Sequence, residues 1–365
     1  MNRFSWSVLC LFLLVIGFSS CTKDGTINVT NGKFLYVLTN GVDSNAVMTY
    51  QRSGTDGALS LLSVTGTGGK GTGAPLASQG PITISNDRKW ILAVNAASNT
   101  ISALKITETG LKLTSTVPSR GYRPISIACY NNLVYVLHSN ENGQIAGYKL
   151  SEAGILTPIE NTVKTLGTSA TGPAQISFVL EGKMIVVTLK SVNKIIAYKL
   201  DANGVPGDLF TVESKSPTPY GFAVGKEGNI YVSEATQGVM SAYRVSLTGI
   251  TSVAGPLPTN QVAACWVGAS PNGKYIYVVN AQSNTITGYN INTLSSFTLM
   301  QANGVTANTG IRPIDIAISD DSMFAYVLNY EDRSIRVFYI TQTGGLEKIE
   351  DRFVIPAGST GIAVK

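Results

Sequence analysis

Arg123 and Arg312 sit in matching Gly-x-Arg-Pro steps, Gly121-Tyr-Arg-Pro124 and Gly310-Ile-Arg-Pro313. A guanidinium stays charged at any ordinary pH, and its planar fork matches a carboxylate or a phosphate. Two of them facing one opening would hold an anion bidentately. The alternative is that each packs on neighbouring chain. Glu234 is the only acid that closes a Tyr-Val run, Tyr231-Val-Ser-Glu-Ala235. Partly buried, such a carboxylate is a candidate general base; otherwise it serves as an acceptor for loop amides. His138 is the sole histidine and closes another such run, Tyr135-Val-Leu-His-Ser139. It reads either as a general acid/base or as an exposed loop residue with no role. Asp315, Gln175 and Cys265 hold equivalent places in three further short runs. Asp315 is read as pairing with an arginine or helping to bind a cation. Cys265 is a weak nucleophile candidate, since no histidine lies near it in sequence. One histidine, no paired cysteine spacing and no Asp-rich loop argue against a metal, and no cofactor is expected.

Internal repetition positions these residues. One block recurs at Tyr36-Val-Leu-Thr-Asn40, Leu92-Ala-Val-Asn-Ala96, Tyr135–Ser139, Val186-Val-Thr-Leu-Lys190, Tyr231–Ala235, Tyr277-Val-Val-Asn-Ala281 and Tyr326-Val-Leu-Asn-Tyr330, at steps of 56, 43, 51, 45, 46 and 49 residues. Its β-branched and aromatic content favours a strand. Asn40, Asn95, Asn280 and Asn329 are read as closing their strands in register, as turn formers first and ligand contacts second. A second strand follows each block, and a Gly-Leu-like step, as at Gly57-Ala-Leu59 and Gly154-Ile155, usually opens a third. A short strand led by proline precedes most blocks: Pro81–Ser85, Pro124–Ala128, Pro173–Ser177, Pro219–Ala223 and Pro313–Ala317, with Ala263–Val267 in the same place without its proline. Proline at a strand's first residue removes no ladder bond.

Four short strands per repeat specify an all-β, seven-bladed β-propeller. The first repeat lacks its leading strand, and Thr360–Lys365 supplies one, so the C-terminal strand completes the N-terminal blade and leaves no open edge. The innermost strands then line a central channel. Residues just before them, and those just after the Tyr-Val strands, gather at one rim, the expected place for a ligand.

This pattern resembles the lactonase family of seven-bladed propellers, which includes 6-phosphogluconolactonases and 3-carboxymuconate cyclases, and it shares the strand style of YVTN surface-protein repeats. The resemblance is closest from Ser270 to Tyr289. It implies His and Arg on innermost strands and a Glu ending the next strand. Glu234 falls at that Glu position, whereas Thr218-Pro-Tyr-Gly221 places Tyr220 and Gly221 where Arg and His would stand. Tyr220 therefore joins the candidate ligand contacts, and most of the implied catalytic set is missing. Two readings remain: a propeller that binds a polar or anionic ligand, or a partner protein, at the rim with little or no catalysis; and a lactone hydrolase or cycloisomerase with Glu234 as acid/base and the two arginines orienting the substrate. A surface-display role through blade edges is a third.

Composition is compatible with each. Hydrophobic residues make up 44% of the 365 and charged residues 13%, which excludes disorder. Lys and Arg are scattered, so no nucleic-acid partner is expected. Residues 1–21 read as a signal peptide: Arg3, an apolar Val8–Phe18 stretch, then Phe18-Ser-Ser-Cys21 resembling a lipobox. Residues 22–33 form a linker and 34–365 the propeller. The expected form is a monomer, exported to the periplasm or cell surface and held to a membrane only by lipid on Cys21. Cys129 and Cys265 fall three blades apart and are expected as free thiols. Mass spectrometry of the mature N-terminus should find a diacylglyceryl-modified Cys21, and Cys21→Ala should release the protein from membranes; an unmodified N-terminus beginning elsewhere would refute the anchor.

Overall fold

The computed structural model describes residues 32–139, 142–168, 170–293 and 295–365. The export signal, Cys21 and nearly all of the linker lie outside the described residues. Seven antiparallel sheets follow in chain order, each with a short inner strand, then the Tyr-Val strand, then two strands toward the outside. The Tyr-Val strands run Phe34–Leu38, Trp90–Asn95, Leu133–His138, Met184–Leu189, Asn229–Glu234, Tyr275–Asn280 and Phe324–Asn329. They are the most buried elements, because both faces of a middle strand press on adjacent blades. Their tyrosines also join blades: Tyr135, Tyr277 and Tyr326 donate to the carbonyls of Gly204, Gly344 and Gly57 in the outer hairpins of the next blade, at 2.5, 2.8 and 3.1 Å. Those three glycines adopt φ near +80°, which brings the carbonyl within reach of a phenol without a Cβ in the way.

The ring closes as expected. Thr360–Val364 is the inner strand of the first blade and pairs antiparallel with Phe34–Leu38, for example Leu35 opposite Val364. Phe34 and Lys365 exchange backbone hydrogen bonds at the seam.

The inner strands have only one strand neighbour, so their second edge faces the axis. Six of the seven carry a register shift against their partner strand near the entrance. This bulge turns one side chain toward the next blade, where an unpaired amide waits. Ser126 Oγ accepts from Ile176 at 3.2 Å, Gln175 Oε1 from Phe222 at 2.7 Å, and Asp315 Oδ2 from Ile362 at 3.2 Å, while Asp315 Oδ1 accepts from Ile316 of its own strand at 2.9 Å. Gln175 also returns its amide to the Phe222 carbonyl at 3.0 Å. The bridges run from blade three to four, four to five, and seven to one.

One detail of the sequence reading is corrected. Asn95, Asn280 and Asn329 occupy the last position of their strands, but the equivalent residue in the first blade is Thr39, and Asn40 lies two residues past the end of the strand at Leu38. There φ is +51°, and the Asn40 side chain donates to Ala74 and Gly358 carbonyls while accepting from Thr72. Replacing Gln175 by Ala leaves both backbone groups of Phe222 unpaired. The expected loss is about 1–3 kcal/mol of unfolding free energy, read by denaturant titration. Gln175→Met, which restores length but no polar atoms, should lose as much; stability equal to wild type in both would contradict the bridge.

Candidate functional site

The residue immediately before the inner strand is left-handed in five blades, at Arg123, Gly172, Thr218, Ala263 and Arg312, and in the second blade Gly80, two residues before the strand, is left-handed too. Glycine takes that conformation freely, so the two arginines hold it where other blades use glycine. Asparagines in the preceding blade fasten it. Asn99, Asn193 and Asn284 accept from the amides of Arg123, Thr218 and Arg312 at 2.7, 2.9 and 2.8 Å. Arg123 and Arg312 thus occupy equivalent places at the channel rim.

The first repeat is the longest, and its extra length does not loop out over the surface. From Gly66 to Gly80 the chain crosses from the first blade to the second by way of the axis. Gln79 N donates to Ala174 O at 3.0 Å in blade four, and Ser78 Oγ to Ile125 O at 2.7 Å in blade three. Trp266 of blade six donates its indole N–H to Ser78 O at 2.8 Å. The Gln79 side chain bonds both backbone groups of Val267, at 2.7 and 3.1 Å, as Gln175 does for Phe222. Blade five has Gly221 at the bridging position, and a Cβ there would lie 2.1 Å from Gln79 Oε1. Gln79 fills the gap left by that glycine.

Above this crossing segment lies a cavity of 460 Å³ over blades five to seven, lined among others by Ala77, Tyr220, Trp266, Gln282, Arg312 and Glu331. Its floor is aromatic: Tyr220 and Trp266 meet edge to face with centroids 5.0 Å apart. Lys190 extends over the Tyr220 ring, Nζ 4.5 Å from its centroid, and donates to Ala77 O at 2.5 Å. Burial draws the Lys190 amine down to about 8, opposed by the nearby Cys265 thiol. Burial pushes that thiol up to about 12 in spite of the lysine, so Cys265 is a protonated, enclosed sulfhydryl rather than a nucleophile. Arg312 stands at the edge of the cavity, half exposed, 3.4 Å from Glu331 and over the Tyr330 ring. A larger cavity of 510 Å³ on the opposite face, lined by Tyr130, Phe178, Glu181, Lys183 and Glu227 among others, gathers charges of both signs.

Sequence reasoning singled out Arg312 and Tyr220, and both line the upper cavity. Arg123 does not line it; it is half-buried in blade three, with an Nε that finds no partner among the described residues. Gln175 and Asp315 are committed to the backbone bridges. Asp315 is sealed in, and burial raises its carboxyl to about 7 against the two amides that stabilise its charge. Among the described residues it makes no ion pair with an arginine; the hydrogen-bond partners of its carboxylate are the Ile316 and Ile362 amides. His138 is neither exposed nor at the rim. The last position of a Tyr-Val strand faces the adjacent blade, so the imidazole is fully buried, with Nδ1 3.2 Å from Gln144 O and Gly121 packed against the ring. Burial lowers it to about 4, which leaves it neutral at physiological pH. Glu234 occupies the same strand position. It is fully buried, accepts from Tyr243 at 2.6 Å and Ser241 at 2.8 Å, and does not line the cavity that Arg312 lines. Burial raises its carboxyl, with those hydroxyls and the amides of Lys215 and Ser216 opposing. The arrangement is that of a structural acceptor. Lys190 was passed over, although it is the residue that follows its Tyr-Val strand at the rim. Gln79 carried no signal in the sequence beyond the unusual first step.

A family model described as a seven-bladed β-propeller lactonase matches residues 26–165 and 267–356. The chain belongs to the lactonase family. No curated protein matches it closely enough to count as a relative. Solved structures share the fold at low identity. A candidate 6-phosphogluconolactonase of Bacteroides fragilis superposes with a TM-score of 0.76 at 16% identity, covering 92% of this chain and 99% of that one. One from Bacteroides uniformis gives 0.74 at 18%, over 91% and 99%. The periplasmic gluconolactonase of Pseudomonas aeruginosa gives 0.74 at 15%, again over 91% and 99%. The lactonase match omits residues 166–266, the stretch that holds Lys190, Tyr220, Gly221, Glu234 and Trp266. Of the upper cavity's lining, Tyr220, Ala263 and Trp266 fall in that unmatched stretch, whereas Pro75, Ala77, Gln282, Arg312 and Glu331 fall within the match.

Proposed function

We propose that this lactonase-family propeller binds a small anionic ligand at the upper channel mouth, with Arg312 and Lys190 holding the charge and Tyr220 and Trp266 supporting the carbon skeleton. The observation that carries the reading is a cavity with Arg312 at its edge over an aromatic floor, and the Lys190 ammonium lying 4.5 Å from the centroid of the Tyr220 ring that forms part of that floor. An exposed ion pair at 3.4 Å is weak, so a ligand oxygen can replace Glu331 on Arg312 at little cost. Lys190 is attached to a single neutral carbonyl, and an anion is a better partner for a half-buried ammonium. With residues 1–21 as an export signal and Cys21 as a lipid site, the ligand is met outside the cytoplasm.

A second reading, lactone hydrolysis or cycloisomerisation, is supported by family membership and by the Lys190 amine. At about 8 it is partly unprotonated near neutral pH, and it can act as a base beside the cavity. Glu234, enclosed by Tyr243 and Ser241, is not required in it.

Calorimetry with 6-phosphogluconate separates these. Lys190→Ala and Arg312→Ala should each weaken binding at least tenfold. Wild-type affinity should fall as pH rises past about 8, because the lysine is cationic below that value and neutral above it. Affinities unmoved by either substitution would remove the anion reading. Turnover of a gluconolactone that vanishes in Lys190→Ala and survives in Glu234→Gln would establish the catalytic one.

A further inference from the structure

The segment Pro75–Gly80 does more than connect two blades. It takes the positions of hydrogen-bond donors and acceptors on blades three, four and six at once, and it lies between the upper cavity and the lower half of the channel. Pro75 and Ala77 line the upper side, and Gly80 lines the lower cavity with Thr83, Cys129 and Gln175. We propose that Pro75–Gly80 is an intrachain stopper: it occupies the axial channel as a surrogate ligand, and a ligand that takes the donors of Lys190 and Trp266 must displace it. The closure stands on geometry alone; only the competition rests on the anion reading of the mouth.

The contacts are those a ligand would make. Ala77 O receives the Lys190 ammonium, Ser78 O the Trp266 indole, and the Gln79 carboxamide sits against Val267 as a side-chain bridge would. Exchange of these for a ligand's oxygens replaces one set of hydrogen bonds by another, so little free energy separates the two states. The connection also has the composition of a hinge. Six of the fifteen residues from Gly66 to Gly80 are glycine. Gly73 and Gly80, which flank the stopper, stand at φ of +69° and +77°. Two features hold the closed state: Leu76 is buried in the core, and Gly221 leaves the space that Gln79 fills.

The test is the rate at which N-ethylmaleimide modifies Cys265, read by peptide mass spectrometry so that no other cysteine interferes. Wild type should react slowly, since the thiol is enclosed. Ser78→Gly/Gln79→Gly, which deletes the contacts to Ile125 and Val267, should react at least tenfold faster while still melting cooperatively. If the double variant does not fold, Gln79→Ala should give a smaller increase of the same sign. An unchanged rate in a folded variant overturns the stopper. The same variant should bind 6-phosphogluconate at least threefold more tightly than wild type, and equal or weaker binding overturns the competition. A faster-labelled variant and a wild type that both ignore 6-phosphogluconate would sink the anion reading and leave the closure standing.

Discussion

The unpaired inner edge of each blade is the constraint on which this structure depends. An inner strand has a partner on one side and the axis on the other, and a buried amide left without an acceptor costs about 1–3 kcal/mol. The ring meets this with one device repeated. A bulge at the strand's entrance points a side chain to the next blade, and Ser126, Gln175 and Asp315 accept there. Blade five has no side chain to offer at Gly221, and the crossing segment supplies one instead: Gln79, 188 residues from Val267. The glycine and the inserted segment are complementary parts of one solution.

That solution fixes what the channel can do. With Pro75–Gly80 across the axis, the upper mouth becomes a shallow chamber with an aromatic floor instead of a through-pore. The residues that could have lined a deeper site serve the bridges. The side chains above the crossing belong mainly to blades five to seven, with Lys190 lying over Tyr220 from blade four. The family match is interrupted over 166–266, which contains Lys190, Tyr220 and Trp266.

Much of the fold was legible because its causes are local. Tyr-Val strands, leading prolines and hairpin glycines recur at the blade spacing, and the missing first strand at Phe34 matched Thr360–Lys365. The site was less legible because its determinants are not local. His138 and Glu234 looked like rim residues by their place at strand ends, but a side chain there turns into the interface between blades and is fully enclosed. Asn40 was placed one residue early in the pattern, and only the strand boundary at Leu38 shows the offset. Gln175 and Asp315 carry the chemistry of ligand contacts, yet backbone geometry claims them first. Lys190 obeyed the rim rule and lacked only a motif to mark it.

We propose that the mouth cavity, and not the buried carboxylate of blade five, is the place where this propeller meets its ligand. A crystal structure of the protein with 6-phosphogluconate addresses it most directly. Density for the ligand between Arg312 and Lys190, above Tyr220 and Trp266, is the predicted result. Ligand density beside Glu234, or at the opposite end of the channel with the upper cavity vacant, would contradict it.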